Sequence, residues 1–116
     1  MHEMGIALQI VEIAKSAIPK HMEDVAVESV NLRVGKLTAI VPESLRFCFN
    51  IVVKDTPLEG AVLKIEEIPI TVKCRECGKT STLKDANFSC RKCSSGQLEI
   101  LSGRELVVSS IEMAQD

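Results

Sequence analysis

Two cysteine pairs with the spacing Cys-x-x-Cys constrain the fold of this chain more than any other feature. The first pair is Cys74 and Cys77 and the second is Cys90 and Cys93, with twelve residues between the pairs. Each such turn lets two thiolates converge on one ion while backbone amides point at the sulfurs, and two turns joined by a hairpin complete a tetrahedron. The spacing therefore predicts a metal site, for which zinc is the first choice and an iron–sulfur centre the lesser alternative.

Four thiolates would close the coordination sphere of zinc, which indicates one structural ion per chain and no catalytic metal. Residues 74–93 contain few large apolar side chains besides Leu83 and Phe88, so we expect this segment to need the metal for its shape. Basic residues also cluster there. They either offset the negative charge of a zinc tetrathiolate, which we favour, or form a nucleic-acid patch: Arg75, Lys79, Lys84, Arg91 and Lys92.

The composition narrows the class of protein further. Of the 116 residues, 46% are hydrophobic, which is enough for a core and excludes intrinsic disorder. A net charge of −2 and the absence of Trp and Tyr argue against a nucleic-acid-binding protein. The longest apolar runs, such as 51–53, are far short of a membrane span, and the N-terminus lacks a secretory signal. We therefore expect a cytoplasmic chain with reduced cysteines and no membrane partner.

Hydrophobic periodicity predicts an α+β fold around the cysteine segment. Apolar residues recur at helical spacing from Met4 to about Lys20, and again after Pro42. They alternate in residues 30–34, 63–66 and 107–113, and the second of these strands runs toward the cysteines with Pro69 as an edge or bulge. The expected architecture is two helices on a small, mainly antiparallel three-stranded sheet, with a four-cysteine zinc-ribbon lobe inserted between strands.

This element order predicts two domains. Residues 1–73 plus 98–116 would form the α+β domain, and residues 74–97 the inserted zinc ribbon. The fifth cysteine, Cys48, lies on the predicted inward stripe of the second helix, so we expect it to be a core residue. No catalytic Ser/His/Asp or Cys/His set and no phosphate-binding glycine loop is recognisable, and His21 is expected to be solvated. The chain is therefore not expected to be an enzyme.

The N-terminus carries a second candidate metal site. The α-amine of Met1 and the backbone nitrogen and imidazole of His2 can close adjoining five- and six-membered chelate rings in one plane. Planar nitrogen sets suit Ni(II) or Cu(II) rather than zinc. The fourth donor would be the amide or carboxylate of Glu3 or a group from a partner. Removal of the initiator methionine needs a small second residue, so the bulk of His2 would preserve the site.

Taken together, these features resemble the hydrogenase nickel-incorporation protein family (HypA/HybF). The resemblance rests on Met1-His2-Glu3-Met4, the length, the element order, Phe47-Cys48-Phe49 and the late pair of CxxC motifs. It implies a nickel metallochaperone in which His2 binds Ni(II) with the Met1 amine, supported by Glu3. It also implies that zinc is held by Cys74, Cys77, Cys90 and Cys93.

The resemblance further implies the partners. Members of the family work with a nickel-binding GTPase (HypB) and deliver Ni(II) as cargo to the [NiFe]-hydrogenase large subunit, and some also serve urease. Several members have a histidine after a CxxC pair, where this chain has Gly78 and Ser94. A loop carboxylate found near nickel in some members has no clear counterpart here, because Val41-Pro42 occupies that region and Glu43 is a weak candidate.

Two alternatives without nickel transfer stay open from the sequence. The chain could be a zinc-ribbon adaptor, for which a zinc lobe and a sheet edge would suffice. It could also be a nucleic-acid-binding ribbon, whose binding would fall steeply with salt and would not depend on the N-terminus. Unpaired edge strands permit either a monomer or a weak homodimer.

Overall fold

The computed structural model describes residues 3–83, 88–90, 92–93 and 95–114. Within these residues, two helices and six strands follow one another, with short 3-10 turns after the first helix and the first strand. The helices are α1 (Glu3–Ser16) and α2 (Pro42–Val52). The strands are β1 (Val27–Gly35), β2 (Val62–Ile68), β3 (Ile70–Cys74), β4 (Thr80–Leu83), β5 (Leu98–Ser102) and β6 (Leu106–Met113). The predicted α+β class is confirmed.

The chain divides into two compact units. Unit 1 contains residues 1–33, 40–66 and 107–116, and unit 2 contains residues 34–39 and 67–106. Unit 2 therefore extends beyond the predicted insertion at 74–97. The reason is strand pairing, because β3 and β5 flank the cysteine segment and are hydrogen-bonded neighbours in one sheet.

Unit 1 is built on α1 and α2, which pack against each other. One face of α1 is buried as its periodicity predicts, and α2 begins at Pro42, a residue suited to the first helical position. Strand order in the sheet is β2-β1-β6. The core of the unit comes from both helices, from β1 and β2, and from the segment between α2 and β2, and its largest side chains are Phe49, Leu45, Leu32 and Leu58.

The prediction that Cys48 on α2 is a core residue is wrong. Leu45 and Phe49 are fully buried, but Cys48 is only half-buried and is therefore not a core residue. Its neighbour Phe47 is 68% exposed. Adjacent helical positions face different directions, so residues 47–49 cannot all point inward, and the buried stripe is narrower than the apolar run.

Unit 2 contains a separate sheet that the sequence did not predict. Strand order is β4-β3-β5, and both pairs are antiparallel. We expected one strand from residue 63 to the cysteines, but it divides at Pro69, which cannot donate a ladder hydrogen bond. The core of this sheet is small: Ile70, Val72 and Leu83 are buried, with Leu37, Leu98 and Ile100 packed against them.

A hydrogen-bond network joins the three strands of the sheet in unit 1. The carboxylate of Glu112 on β6 accepts hydrogen bonds from the Ser29 hydroxyl at 2.5 Å and the Asn31 amide at 3.3 Å, both on β1. The Lys64 ammonium on β2 lies 3.0 Å from the same oxygen. The Ser29 hydroxyl, then Lys64 and Asn31, lower the pKa of Glu112 to about 2.

This network predicts a pH-dependent contribution to stability. A carboxyl group whose folded pKa is depressed stabilises the fold above its ordinary pKa and loses that effect as the pH falls towards its folded pKa. We expect Glu112→Gln to flatten the pH dependence of unit 1 unfolding between about pH 4.5 and 2. The measurement is urea unfolding across this range, followed by amide resonances of β1.

The matched control is Glu59→Gln, which removes an exposed carboxylate that has no side-chain partner among the described residues. Both variants lose zinc in acid as the parent does, so their difference isolates Glu112. If the two variants showed the same pH profile, the Glu112 network would not stabilise the sheet in solution.

Candidate metal centre

The first cysteine turn begins where β3 ends. The chain reverses after Cys74, whose carbonyl accepts a 2.9 Å hydrogen bond from the Gly78 N–H. Gly78 has a φ of +75°, a conformation that favours glycine. The Cys74 N–H donates to the Lys79 carbonyl at 2.8 Å, which closes the turn and starts the return along β4. The turn therefore holds both thiols of the first pair at the end of a strand pair.

The second cysteine turn, which begins at Cys90, is held by its own backbone hydrogen bond and is tied to the first turn by another. The Cys90 N–H donates to the Ser95 carbonyl at 2.7 Å. The Arg75 N–H donates to the Gln97 carbonyl at 2.8 Å, which ties the first turn to the chain that leaves the second. Cys74 and Cys90 are buried, whereas Cys77 and Cys93 are exposed.

The structure brings all four predicted thiols together. Their sulfur atoms lie within 4.8 Å of one another. The Sγ atoms of Cys74 and Cys93 are 3.5 Å apart, and those of Cys77 and Cys90 are 3.6 Å apart. Four sulfurs at about 2.3 Å from a tetrahedral zinc would be separated by about 3.8 Å. The sulfur positions therefore fit a four-thiolate zinc site.

Backbone hydrogen bonds favour the thiolate form of the first cysteine in each pair. The N–H of Cys77 points at the Sγ of Cys74 at 3.4 Å and lowers the pKa of that thiol, against the opposing effect of burial. The N–H groups of Cys93 and Lys92 similarly lower the pKa of Cys90 to about 6. Thiolates, not thiols, are the ligands of zinc, so these two sulfurs are prepared for the metal.

The second cysteine of each pair behaves in the opposite way. The N–H of Lys79 lowers the pKa of Cys77, but desolvation and the neighbouring sulfur of Cys90 outweigh it, and the net pKa is raised. At Cys93 the N–H of Ser95 is likewise outweighed, and the sulfur of Cys74 with desolvation raises the pKa to about 12. Four neighbouring thiolates would repel one another, so without a metal the four thiols do not all lose their protons. A divalent cation bound among them would offset this repulsion and favour the thiolate form of all four.

The N-terminal candidates are only partly within the described residues. Met1 and His2 lie outside them. Glu3 is the first residue of α1 and is the acidic residue of its first turn. Glu43, the weak candidate for a loop carboxylate, lies in the first turn of α2 and forms an ion pair with Arg46 at 3.1 Å. The second histidine, His21, is exposed in the 3-10 turn after α1, as expected.

The family model described as "Hydrogenase/urease nickel incorporation, metallochaperone, hypA" matches residues 1–113. This chain belongs to the HypA family. It is 70% identical over 114 residues to a hydrogenase maturation factor HypA of Desulfatibacillum aliphaticivorans, covering 98% of this chain and 88% of that protein. It is 56% identical to a HypA of Desulfosudis oleivorans, covering 99% of this chain and all of that protein.

Solved HypA structures have the same fold. The solution structure of the Ni metallochaperone HypA from Helicobacter pylori covers the whole of both chains with a TM-score of 0.64 at 20% identity. A second structure, described as the solution structure of HypA protein, covers 98% of this chain and 97% of its own with a TM-score of 0.69 at 21% identity. The family model and the curated relatives, rather than these structures, place the chain in a hydrogenase maturation and nickel incorporation metallochaperone family, and its cysteine cluster is able to hold a metal ion.

The CxxC spacing predicts the thiols of this HypA chain and the presence of amides directed at their sulfurs, but not which amide acts on which sulfur. The N–H groups of Cys77, Lys79, Lys92, Cys93 and Ser95 all act on the sulfurs. For the first turn Gly78 was the available signal, because a glycine directly after a CxxC pair permits the positive φ found there. Among the described residues no helix is long and apolar enough to cross a bilayer.

Proposed function

We propose that this chain is a nickel metallochaperone that binds Ni(II) at its N-terminus and passes it to the [NiFe]-hydrogenase large subunit with the help of a HypB-like GTPase. The observation that carries the proposal is the match of residues 1–113 to a nickel incorporation family, since the match includes the Met1-His2-Glu3 segment. The chain acts as a carrier without catalysis of its own. Urease maturation proteins are further candidate clients.

The start of α1 supports nickel binding next to it. The first N–H groups of a helix have no intrahelical acceptor, so a metal that replaces an amide proton near Glu3 breaks no helix hydrogen bond. The positive end of the helix also favours the negative amidate that such a displacement creates. The proposed donors are the Met1 amine, the His2 amide and imidazole, and the amide or carboxylate of Glu3.

Zinc has a structural part in this proposal. One zinc ion per chain is held by Cys74, Cys77, Cys90 and Cys93, and four thiolates leave no open position for nickel or for substrate. By coordinating two thiolates from each turn, zinc would hold the two cysteine turns together. Nickel and zinc therefore occupy different places along the chain, so the loss of one is measurable without loss of the other.

The nickel site predicts a result that depends on a free N-terminus. We expect about one nickel per zinc-loaded chain. A Gly-Ser extension before Met1 should weaken nickel binding by more than about 100-fold. Substitution of a residue that only supports a metal ligand can already cost about 100-fold, and the extension removes a ligand itself. His2→Gln, in which the second residue is still large enough to retain Met1, should do the same, with His21→Gln as the matched control. The measurement is equilibrium dialysis at pH 7.5, with zinc content determined on the same samples.

Proton competition provides a second readout of the same site. The amine and imidazole ordinarily titrate near pH 7.7–8.0 and about 6.5, so nickel affinity should fall clearly between pH 7.5 and pH 6. Equal affinity at the two pH values would contradict amine and imidazole ligation. Equal binding by the extended and native chains would move nickel to the thiolates, and no binding by either would favour the adaptor.

A further inference from the structure

Charge is unevenly distributed between the two units. Unit 2 has eight Lys and Arg against five Asp and Glu, whereas the remaining residues have six against eleven. The excess of three cations in unit 2 is larger than the two negative charges of a zinc tetrathiolate. Zinc therefore does not account for all of the basic residues around the cysteines, and some of the positive charge is left for another anionic group.

Two of the positively charged residues of unit 2 line a cleft. It has a volume of about 200 Å³ and is lined by Lys79, Thr80, Ser81, Cys90 and Lys92. Both lysines are exposed, and neither ammonium has an ion-pair partner among the described residues. The cleft therefore has two lysine ammonium groups on its walls that no described carboxylate pairs with.

One wall of the cleft is an edge strand. β4 is an outer strand of its sheet and pairs with β3 alone among the described strands, with Val72 opposite Ser81 and Lys73 opposite Thr80. In an antiparallel pair, every other residue of an edge strand directs its N–H and C=O away from its neighbour. The start of β4 therefore has backbone groups suited to pairing with an extended chain, beside Lys79 and Lys92.

We propose that the outer edge of β4 and the cleft beside Cys90 bind an acidic, extended segment of a partner protein. Backbone hydrogen bonds to Thr80–Leu83 hold the segment as an added strand. Its carboxylates lie against the ammonium groups of Lys79 and Lys92. A polynucleotide fits less well, because the rest of the chain is strongly acidic and the protein lacks Trp and Tyr for base stacking.

The test uses the full-length, zinc-loaded, nickel-free protein, so its outcome does not depend on nickel transfer. The probe is a fluorescein-labelled seven-residue peptide that alternates glutamate and valine, in about 50 mM salt. We expect a Kd on the order of 10–100 μM, as for a small transient interface, with amide shifts at residues 79–83 and 90–93. A lysine-for-glutamate peptide and a backbone N-methylated glutamate peptide should both bind much more weakly.

Matched charge reversals locate the site. Lys79→Glu with Lys92→Glu should weaken binding by about tenfold or more, measured on samples verified to hold one zinc ion per chain. Lys20→Glu with Lys54→Glu makes the same change in net charge on exposed residues of unit 1 and should have little effect.

Three results would overturn the proposal. If both double variants weakened peptide binding equally, the binding would depend on net charge and not on the cleft. If the N-methylated peptide bound with full affinity, it would not be held as an added strand. Tighter binding of a twelve-nucleotide oligothymidine at the same residues would assign the cleft to nucleic acid instead.

Discussion

Cys74→Ser should release zinc and unfold unit 2 while leaving unit 1 folded. Structural zinc contributes roughly 10–16 kcal/mol in small zinc-dependent folds, so losing one of four ligands should cost about 3 kcal/mol or more. That corresponds to a more than 100-fold weaker zinc affinity. Unit 2 cannot offset this loss, because the buried cluster of its sheet among the described residues is small: Ile70, Val72 and Leu83. Domains this small usually need a metal or a disulfide.

The chain offers a matched control for this substitution. Cys48→Ser makes the same chemical change at a half-buried position on α2, outside the sulfur cluster. It should keep zinc at the level of the parent. The measurements are zinc content and a two-dimensional amide spectrum, in which resonances of β3, β4 and β5 collapse to unfolded positions and those of α1 and α2 persist. A zinc-free variant with an intact β3 spectrum would mean that the apolar cluster holds unit 2 by itself.

Gly35→Ala should strongly destabilise unit 2 through a contact between two backbone segments. A Cβ at residue 35 would overlap the carbonyl group of Gly103 and lie 2.6 Å from the Arg104 nitrogen. These atoms are held in place, since Gly35 donates to the Glu105 carbonyl at 2.7 Å and Leu37 donates to the Gly103 carbonyl at 2.8 Å. The expected loss is about 3 kcal/mol, the upper end of the cost of overpacking.

Residue-level hydrogen exchange in unit 2 measures this effect directly. Protection of the Ile70 and Val72 amides should fall by about 100-fold, because each 1.4 kcal/mol is a factor of ten. The control is Gly5→Ala in α1, where a Cβ would meet nothing within 4 Å. Alanine is favoured over glycine in a helix, so that variant should gain about 0.5–1 kcal/mol. Unchanged protection in Gly35→Ala would rule out the close approach to Gly103 in solution.

Features that depend on short stretches of chain follow directly from the sequence. The four candidate thiol ligands follow from their spacing, because two residues are the separation at which a turn brings two thiols onto one ion. The buried face of α1 follows from 3.6-residue periodicity, and the start of α2 from Pro42. The N-terminal nickel donors are likewise a local pattern, and they stay a prediction because Met1 and His2 lie outside the described residues.

Tertiary structure decided the features that join distant parts of the chain. The carboxylate of Glu112 bonds a hydroxyl 83 residues earlier, and nothing in the local sequence of β6 distinguishes it from a solvated glutamate. The overlap that forbids a Cβ at Gly35 depends on a strand end 68 residues later. The partial exposure of Cys48 was decided by which face of α2 packs inward. Such contacts depend on how the strands pair, and a local pattern does not specify their partners.

The boundaries of the two units were likewise not predictable from local sequence patterns. Pro69 was recognised as unfavourable inside a strand, yet only the fold shows that the strands on its two sides belong to different sheets. The cysteine spacing predicted a ribbon at 74–97, but the unit also takes in 34–39, 67–73 and 98–106. A metal site is specified by a few ligands close together in sequence. The extent of the unit around it is decided by the burial of apolar side chains from segments far apart in the chain.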